Sequence, residues 1–459
     1  MNFKVFFAGI LIVFLSIGAK AQHELGLHFM KQVGQSALTN PAFISDHVIG
    51  VNLASPYINL FNTSLVVNDF LFEIPGTDSL RVDLDPAIER MDDKNNSTFY
   101  NLHYDILHLT YRWKNWQYSL SYSLKHNAYA NYSKTFADVV WNGNGNYVGQ
   151  NIEVGPDFQT FLYHEIAAGA AYQFDFGLSV GARVKYLAGV ADFSASEDRQ
   201  SIQLFTDDDI YQITLNTDYV IQSSSFPELD EDFQTIGGEV LELFPHTGNF
   251  GKNSGIAFDL GFEFDVNDKL SVAGSVINLG GTISWSENLN NYVSNDEFRY
   301  DGIDIGPLIE GDTLDFSAIG DTLSEIFDIQ TSTNSSSYKS SLPVKYFLSA
   351  SYDIDDDLRV GGLIYNETFR GHSHPAFAVF GQMDFLKDKL SLGASASYRN
   401  GGTFNLGING VASIGPVQLF ASTDNILSVF SPYQNKNANI RAGLNLLFFP
   451  KKNDNAPEE

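Results

Sequence analysis

The sequence predicts an all-β protein, a transmembrane antiparallel β-barrel of about fourteen strands with a short N-terminal plug and long extracellular loops. Three observations predict this fold. Segments of about 9–11 residues alternate apolar and polar side chains, and this is the length of a tilted strand that crosses a bilayer. Their polar face carries mainly Ser, Gly, Ala and Asn, which suit a crowded or water-filled interior. Short and long connections alternate along the chain, as turns and external loops do in outer-membrane barrels.

The alternation is clearest in residues 115–125, "NWQYSLSYSLK". One face of this segment carries large apolar side chains, namely Trp116, Tyr118, Leu120, Tyr122 and Leu124. The other face carries Gln and Ser, and the same pattern recurs in 176–186, 255–265, 343–353 and 389–399. Alternation alone also fits a soluble sandwich. The small residues on the polar face and the one-sided distribution of loop lengths favour the barrel.

The connections divide the chain into strands. Tight links are predicted at 113–115, 174–176, 266–269, 354–357, 385–388 and 413–415. Long links are predicted at 73–103, 125–162, 187–254, 286–342, 367–373 and 425–437, whereas 400–402 is short where a long loop is due. The predicted strands are 48–72, 104–112, 115–124, 163–173, 176–186, 255–265, 270–285, 343–353, 358–366, 374–384, 389–399, 403–412, 416–424 and 438–449. Segments 199–206 and 210–221 also have strand character, so they either form a hairpin that extends an external loop or change the count by two.

The first residues have the pattern of a secretory signal peptide. Lys4 precedes an apolar run from Val5 to Ile17, and small residues at Ala19 and Ala21 mark a cleavage site before Gln22. A retained helical anchor is the alternative. No later stretch is apolar over the roughly 20 residues of a membrane helix. The predicted organisation is a signal peptide at 1–21, a plug segment at 22–47, an outer-membrane barrel at 48–449 and a disordered periplasmic tail at 450–459.

Composition excludes several classes of function. The chain of 459 residues has no cysteine, so it has no disulfide, thiolate nucleophile or cysteine metal site. Its formal net charge of −28 argues against nucleic-acid binding, because phosphate recognition needs clustered Lys and Arg. The same charge argues against docking on an anionic membrane surface. Acidic surface loops that favour solubility explain the charge most simply.

Three stretches resemble a known family. Asn40-Pro41-Ala42 in "GQSALTNPAF" resembles the "NPA" motif near the mature N-terminus of the FadL-like outer-membrane transporter superfamily, the long-chain fatty-acid transporters. Secretion-system barrels that carry cargo proteins share this motif. Residues 255–285 and 422–448 resemble an uncharacterised domain-of-unknown-function (DUF) family of outer-membrane barrels within the same group.

The resemblance implies a fourteen-stranded barrel plugged by residues 22–47, with Asn40, Pro41 and Ala42 as the plug motif. An ordinary N-terminal extension is the alternative. It also implies transport of hydrophobic small molecules, which in the fatty-acid transporters leave sideways through a kink in the third strand. The third strand predicted here, 115–124, contains no Gly, Pro or bulge signal, and this departure counts against a lateral exit at that position.

Catalytic and metal-binding motifs are weak. "GHSHP" at 371–375 has Pro375 where a nucleophile elbow needs Gly, and "DIDDDL" at 353–358 lacks the glycine of a calcium loop. We therefore expect no catalytic residue, no metal site and no cofactor. In the loop 226–244, apolar residues recur every three to four residues. This spacing predicts an amphipathic helix that caps the external mouth or meets a partner.

Charged residues on the inward parity are candidates for a lumen site. They are Arg183, Lys185, Asp259, Glu263, Lys345, Arg359, Arg399 and Arg441. They either orient the head group of an amphiphile or hold the plug, or they pair with one another inside the closed barrel. Pairing is the commoner arrangement.

Two classes of function stay open. The first is a passive channel for a hydrophobic small molecule in the outer membrane of a Gram-negative cell. The second is a non-transporting structural or accessory component of an outer-membrane secretion or assembly complex. The expected partners are outer-membrane lipid, a hydrophobic substrate in the first case and an outer-membrane protein complex in the second. A continuous apolar pocket from the loops to the plug would favour the channel, and a lumen filled by plug and paired charges would favour the accessory role.

Overall fold

The computed structural model describes residues 25–73, 80–226, 251–300, 332–386, 389–399 and 403–450. The predicted signal peptide at 1–21 lies outside these ranges. So do the predicted loop helix at 226–244 and the tail at 450–459, apart from the first residue of each. No helix in the described part of the chain is long and apolar enough to cross a membrane.

Fourteen long strands form the wall of the molecule. Their bounds are β1 His47–Asn62, β2 Asn96–Trp113, β3 Trp116–Tyr132, β4 Asp157–Gln173, β5 Leu178–Thr206, β6 Ser254–Asn267, β7 Leu270–Trp285, β8 Val344–Asp353, β9 Leu358–Phe369, β10 His372–Phe385, β11 Leu390–Arg399, β12 Thr403–Ile414, β13 Val417–Thr423 and β14 Asn437–Pro450. All fourteen predicted strands are present, with ends that differ from the prediction by several residues at the outer loops.

The strands close into a barrel. Each one pairs antiparallel with the next along the chain, and β14 pairs back onto β1 through contacts such as Phe448 opposite Ile49. Closure removes the two free edges that an open sheet would expose, which is the condition for a sheet to stand in lipid. The predicted fold class, a fourteen-stranded antiparallel barrel, is confirmed.

The two faces of the wall differ in the way that the alternation predicts. On β3, Tyr118 and Leu120 are 43% and 48% exposed on the outside, whereas Ser121 and Ser123 are buried inside. The outer face forms an apolar belt around the barrel, whereas the inner face carries most of the buried polar side chains together with clusters of aromatic residues. Because side chains in a strand point alternately to opposite faces, one chain segment supplies both the lipid-facing and the luminal surface.

The connections are short at one end of the barrel. The gaps between strands at this short-turn end are 114–115, 174–177, 268–269, 354–357, 386–389 and 415–416. The opposite, long-loop end carries the longer connections. The prediction of a long link at 367–373 is wrong, because β9 and β10 are joined by the two-residue turn Arg370–Gly371. Both residues have positive φ, 46° and 77°, as in the tight hairpin turns that match strand twist.

Arg370 explains why this turn stays close to the wall. Its side chain is buried, and its Nε donates to Asp157 Oδ1 at 2.8 Å. A second nitrogen, Nη2, donates to the main-chain oxygen of Ala195 at 2.5 Å. These bonds hold the turn against β4 and β5.

A small sheet extends the barrel at the long-loop end. β5 continues to Thr206, and the chain returns as the strand Ile213–Ser224, which confirms the predicted hairpin. Four further short strands complete this external sheet, namely Asn151–Glu153, Asn291–Ser294, Glu297–Tyr300 and Ser332–Asn334. The helix Lys134–Asn142 packs Phe136 and Val139 onto its apolar face, and the Ser133 hydroxyl caps this helix by accepting from Phe136 N at 3.0 Å.

The remaining elements are short. Two are α-helices in the connections between wall strands, Asp85–Arg90 and Leu427–Phe430. A third α-helix, Leu25–Phe29, lies at the start of the described chain. The 3₁₀-helices are Gly34–Leu38, Val67–Asp69, Asn144–Tyr147 and Pro432–Gln434. Leu71–Glu73 pairs antiparallel with Leu80–Val82, and Tyr338–Ser341 pairs with the end of β7.

The register of the wall shifts at several places, and at two of them a residue has positive φ. On β1, the register with β14 shifts between Leu53 and Tyr57, where Ala54 has a φ of 47°. On β7, two register shifts against β6 surround Asn278 and Gly280, whose φ values are 63° and 65°. β3 pairs with β4 without any shift, which agrees with the absence of a bulge signal in its sequence.

Candidate functional site in the barrel lumen

The N-terminal segment, residues 25–46, lies inside the barrel. It begins with the helix Leu25–Phe29, continues as the 3₁₀-helix Gly34–Leu38 and then leads into β1. The apolar residues Leu25, Leu27, Phe29, Met30 and Val33 are all buried. They contact inward-facing residues of β7–β10, β12 and β13. The segment therefore occupies the lumen near the short-turn end.

Asn40 attaches the segment to the wall between β6 and β7. Its Nδ2 lies 3.0 Å from the main-chain oxygen of Phe262 and 3.4 Å from that of Gly274, two residues that face each other across the two strands. Its Oδ1 accepts from Ala42 N at 3.0 Å, which turns the chain at Pro41. The Asn40 side-chain nitrogen thus donates to the wall, and the side-chain oxygen accepts from the segment's own backbone.

Two glycines make room for this contact. A Cβ built on Gly261 would stand 2.0 Å from Asn40 Oδ1, and one built on Gly181 would stand 2.2 Å from the main-chain oxygen of Pro41. Gly181 and Gly261 face each other on β5 and β6, so they form one recess. Only glycine leaves enough space for a backbone to approach the wall this closely.

Polar contacts hold the rest of the segment at several points around the wall. Lys31 forms an ion pair with Glu263 of β6, and Ser275 Oγ donates to the main-chain oxygen of Thr39 at 2.6 Å. Near the start of the segment, Gly26 N donates to Asp424 Oδ1 at 2.8 Å. Similar bonds join Gln35 to Asn445 and Gln117 to Phe43. The segment therefore touches strands on opposite sides of the lumen.

His28 is fully enclosed by these contacts. Its Nδ1 lies 3.1 Å from Thr39 Oγ1 and its Nε2 lies 2.9 Å from Ser349 Oγ. Its ring stacks on Phe347, with the ring centroids 5.0 Å apart. Burial, together with the nearby Lys31 charge, lowers the pKa of His28 to about 3. The residue is therefore neutral near pH 7.

A layer of paired charges, the charge layer, crosses the lumen on the loop side of the segment. It consists of Asp105, Lys125, Glu165, Arg183, Lys185, Asp259 and Arg441. Lys185 Nζ lies 2.9 Å from Asp259 Oδ1 and 3.6 Å from Glu165 Oε2, and Lys125 Nζ lies 2.9 Å from the same Glu165 oxygen. Arg183 Nη1 lies 3.3 Å from Asp259 Oδ2, and this contact completes a chain of charges that runs from β3 to β6.

A separate pair closes the layer on the side of β14. Arg441 Nη1 lies 2.7 Å from Asp105 Oδ2, and Ser123 Oγ donates to the other oxygen of Asp105 at 2.7 Å. The Arg441 guanidinium also stands over the Tyr57 ring, 4.9 Å from its centroid. Each charge in the layer has an opposite charge within reach, as buried charges need in order to be tolerated.

The charge layer leaves little free space. A cavity of about 40 Å³ lies beside it, lined also by Leu38 of the N-terminal segment, Lys345 and Glu367. This volume holds roughly three water molecules. The cavity is therefore too small for a fatty acid or an aromatic hydrocarbon.

An aromatic layer fills the lumen nearer to the long loops. Its members are Phe61, Phe99, Tyr129, Phe161, Tyr163, Trp285, Tyr338 and Phe369. The polar tips of two of them are bonded, since Trp285 Nε1 donates to Ser340 Oγ at 2.7 Å and Tyr338 OH donates to Asp192 Oδ2 at 2.9 Å. Segment, charge layer and aromatic layer thus occupy successive levels of the interior.

Comparison with known proteins identifies the family of this barrel. The profile of the family of unknown function DUF5723 matches residues 41–424, which is most of the chain and nearly the whole barrel. The chain belongs to the DUF5723 family. The match confirms the resemblance to a domain-of-unknown-function barrel family. No curated protein sequence matches the chain.

Several solved structures are similar to this DUF5723 protein. The toluene transporter TbuX of Ralstonia pickettii is 11% identical over 91% of this chain and 94% of its own, with a TM-score of 0.41. The toluene transporter TodX of Pseudomonas putida is 9% identical over 94% of this chain and 97% of its own, with a TM-score of 0.43. A FadL homologue of Pseudomonas aeruginosa is 10% identical over 94% and 98%, with a TM-score of 0.43.

The predicted lumen residues of the DUF5723 chain have different surroundings. Arg183, Lys185, Asp259 and Arg441 come together in the charge layer. Glu263 lies nearer the short turns, where it holds Lys31 of the N-terminal segment.

The other three predicted residues lie apart from these pairs. Lys345 is half-buried beside the cavity. Arg359 is at the short-turn end, with Nε 2.6 Å from Asp353 Oδ1. The side chain of Arg399 lies outside the described part of the structure.

Sequence reasoning missed three members of the charge layer, Asp105, Lys125 and Glu165. Lys125 shares the parity of Ser121 and Ser123, so the alternation could have placed it inside. Asp105 was hidden by a bulge, because the register of β2 against β3 shifts between Asp105 and Leu107 and reverses the inward parity. Glu165 could be recognised only from its position beside Lys125 and Lys185, which requires the strand register.

Proposed function

We propose that this DUF5723 barrel does not conduct solutes through its lumen and works as a membrane-anchored accessory component of an outer-membrane complex. The observation that supports this proposal is the filled interior, in which the N-terminal segment acts as a plug beneath a closed charge layer. An apolar molecule passing along the lumen would have to separate Arg183 and Lys185 from Asp259. Removing one partner from a buried ion pair costs about 3–5 kcal/mol, and an apolar molecule offers no charge to replace it.

The external sheet supports the same proposal. It projects beyond the wall at the long-loop end, and its strands belong to three separate connections, so it forms a surface with its own apolar core. In the orientation with the short turns in the periplasm, this surface faces the cell exterior. A protein partner in an outer-membrane assembly would meet it first.

A second candidate is a passive channel for hydrophobic small molecules, and the aromatic layer favours it. Phe61, Phe99, Phe161 and Trp285 could receive an apolar molecule that enters from the loop side. Transport would then require that the N-terminal segment leave its recess and that the charge layer open. Apolar contacts, hydrogen bonds and the ion pair between Lys31 and Glu263, rather than covalent links, hold the segment in place.

A disulfide lock separates the two candidates. Ser275 Oγ donates to the main-chain oxygen of Thr39 at 2.6 Å, so the two residues are neighbours, and the natural chain has no cysteine to interfere. The double variant Thr39→Cys, Ser275→Cys is reconstituted in liposomes, and uptake of a radiolabelled fatty acid and of toluene is measured in the reduced and oxidised states. The accessory role predicts that both states match empty liposomes. Uptake in the reduced state that oxidation abolishes would overturn it, and single-cysteine variants control for oxidation itself.

Copurification supplies the positive evidence. The wild-type barrel is extracted in mild detergent, and stoichiometric protein partners and bound small molecules are identified by mass spectrometry. The accessory role predicts a constant protein partner that is lost when the external hairpin tip 207–212 is replaced by a short Gly-Ser turn. The absence of a stoichiometric protein partner would contradict it, whether or not lipid is bound to the outer wall.

A further inference from the structure

The outer surface of the wall contains an apolar groove across β6 to β9. Its volume is about 450 Å³, and its rims are Leu260, Phe262, Val276, Tyr346, Leu348 and Ile364. Five of these side chains are more than a third exposed, so the groove opens outward rather than into the lumen. It is larger than the cavity beside the charge layer and differs from it in being apolar.

Gly274 produces the groove. In the cross-strand register, Gly274 lies between Phe262 on β6 and Leu348 on β8, so the outward row of side chains lacks one member at this point. The Phe262 ring leans over the space, because a Cβ built on Gly274 would be 2.6 Å from a ring carbon. The floor of the groove is therefore main chain and the edge of the Phe262 ring, bordered on both sides by large apolar residues.

The groove lies within the apolar belt. Gly274 is the fourth residue after the start of β7, which places it on the order of 10 Å from the short-turn end along the barrel axis for a tilted strand. The outward apolar band of such barrels is about 25 Å tall. The groove is thus continuous with the surface that faces hydrocarbon.

The wall is thin behind the groove. On the luminal side of the same residues, Asn40 Nδ2 bonds the main-chain oxygens of Phe262 and Gly274, so only backbone separates Asn40 from the groove. Hydrogen bonds at such a place are strongest when water is kept away from them. An empty groove would also forfeit the dispersion contacts of its lining.

We propose that the acyl chain of a membrane lipid is a resident ligand of this groove. The chain fills the groove beside the Phe262 ring, covers the backbone of Phe262 and Gly274 and shields the Asn40 hydrogen bonds from water. Its recognition is by shape and apolarity, and it does not depend on whether the lumen conducts.

The test uses a matched pair of tryptophan variants. Leu348 and Leu392 are both outward-facing leucines, 50% and 48% exposed, but only Leu348 borders the groove. Full-length wild type, Leu348→Trp and Leu392→Trp are extracted from membranes and exchanged into a second detergent. Lipid retained per barrel is then counted by native mass spectrometry, and heat-modifiable electrophoretic mobility verifies folding.

The expected result is about one retained lipid on wild type and on Leu392→Trp, and at least a fivefold loss on Leu348→Trp. Ile364→Trp, on the opposite rim, serves as a second groove variant if Leu348→Trp fails to fold. No retained lipid on wild type, or equal retention in groove and control variants, would overturn the proposal.

Discussion

Asn40 and Gly261 are in such close contact that a Cβ atom at position 261 would stand 2.0 Å from the Asn40 side-chain oxygen. This contact lies where the N-terminal segment meets the wall of the barrel, and it links a short motif near the start of the chain to a glycine more than two hundred residues away. The Asn-Pro-Ala sequence turns the segment at the wall, and the glycine gives it space. The position of Asn40 against the wall therefore depends on the absence of a side chain at position 261.

A methyl group at position 261 should therefore loosen the segment. We expect Gly261→Ala to cost about 1–3 kcal/mol of docking free energy, the usual cost of overpacking, which speeds amide hydrogen exchange in residues 36–44 by about 10- to 100-fold. Hydrogen exchange followed by mass spectrometry measures this. Gly381→Ala is the control, because a Cβ there meets nothing within 4 Å. Equal exchange in both variants would show that the recess does not hold the segment.

The sequence predicted the strands well and the luminal contacts only in part. Residues such as Tyr118 and Ser121 reveal their faces by alternation, because the side-chain period of a strand is two. The pairing of Lys125 with Glu165 depends on the register between β3 and β4, which a single sequence leaves open. The bulge before Leu107 reverses the parity of β2 and hid Asp105. The recess of Asn40 needs glycines on two strands to coincide, which only the folded barrel shows.

Asp259 should be essential for the stability of the barrel. It faces both Arg183 and Lys185, and all three side chains are at most 3% exposed. Asp259→Asn leaves two cations with less compensation, so we expect a loss of about 3–5 kcal/mol in the free energy of unfolding. Urea titration of the barrel in lipid vesicles, followed by tryptophan fluorescence, measures the change.

Asp218 provides the comparison. It pairs with Arg199 on the external sheet, where the two side chains are 53% and 38% exposed, so Asp218→Asn should cost at most about 1 kcal/mol. A similar loss in both variants would mean that burial does not distinguish the charge layer from an exposed ion pair.

His28 should make docking of the N-terminal segment sensitive to acid. Its pKa of about 3 in the folded barrel lies below its ordinary value of 6.5, so the released segment binds a proton more readily than the docked one. Docking is therefore strongest above pH 6.5 and weakens as the pH falls toward 3, by up to about 1.4 kcal/mol per pH unit.

Hydrogen exchange of residues 27–30 at pH 7.5 and pH 5, corrected for the intrinsic rate at each pH, checks this effect. We expect the segment to open at least about ten times more often at pH 5 than at pH 7.5 in the wild type. The reason is that protonation of His28 in the released segment lowers the docking free energy over the one to two pH units below 6.5. His28→Gln has no group that titrates in this window and should show no such change. A wild type with the same flat response would refute the role of His28.

The lipid-facing assignment of the apolar belt predicts a steep penalty for a charge at its middle. Val379 lies midway along β10 and is 47% exposed on the outside, whereas Ile210 is 69% exposed at the tip of the external hairpin. In hydrocarbon, an arginine at a midplane position costs about 2–4 kcal/mol, while the same residue in water costs almost nothing. Val379→Arg should therefore lower the free energy of unfolding in lipid vesicles by that amount, and Ile210→Arg should leave it unchanged. Both positions are exposed and aliphatic, so accessibility alone cannot produce the difference. Equal, small effects at the two positions would place the outer face of β10 in water, and the closed wall would then belong to a protein outside the membrane.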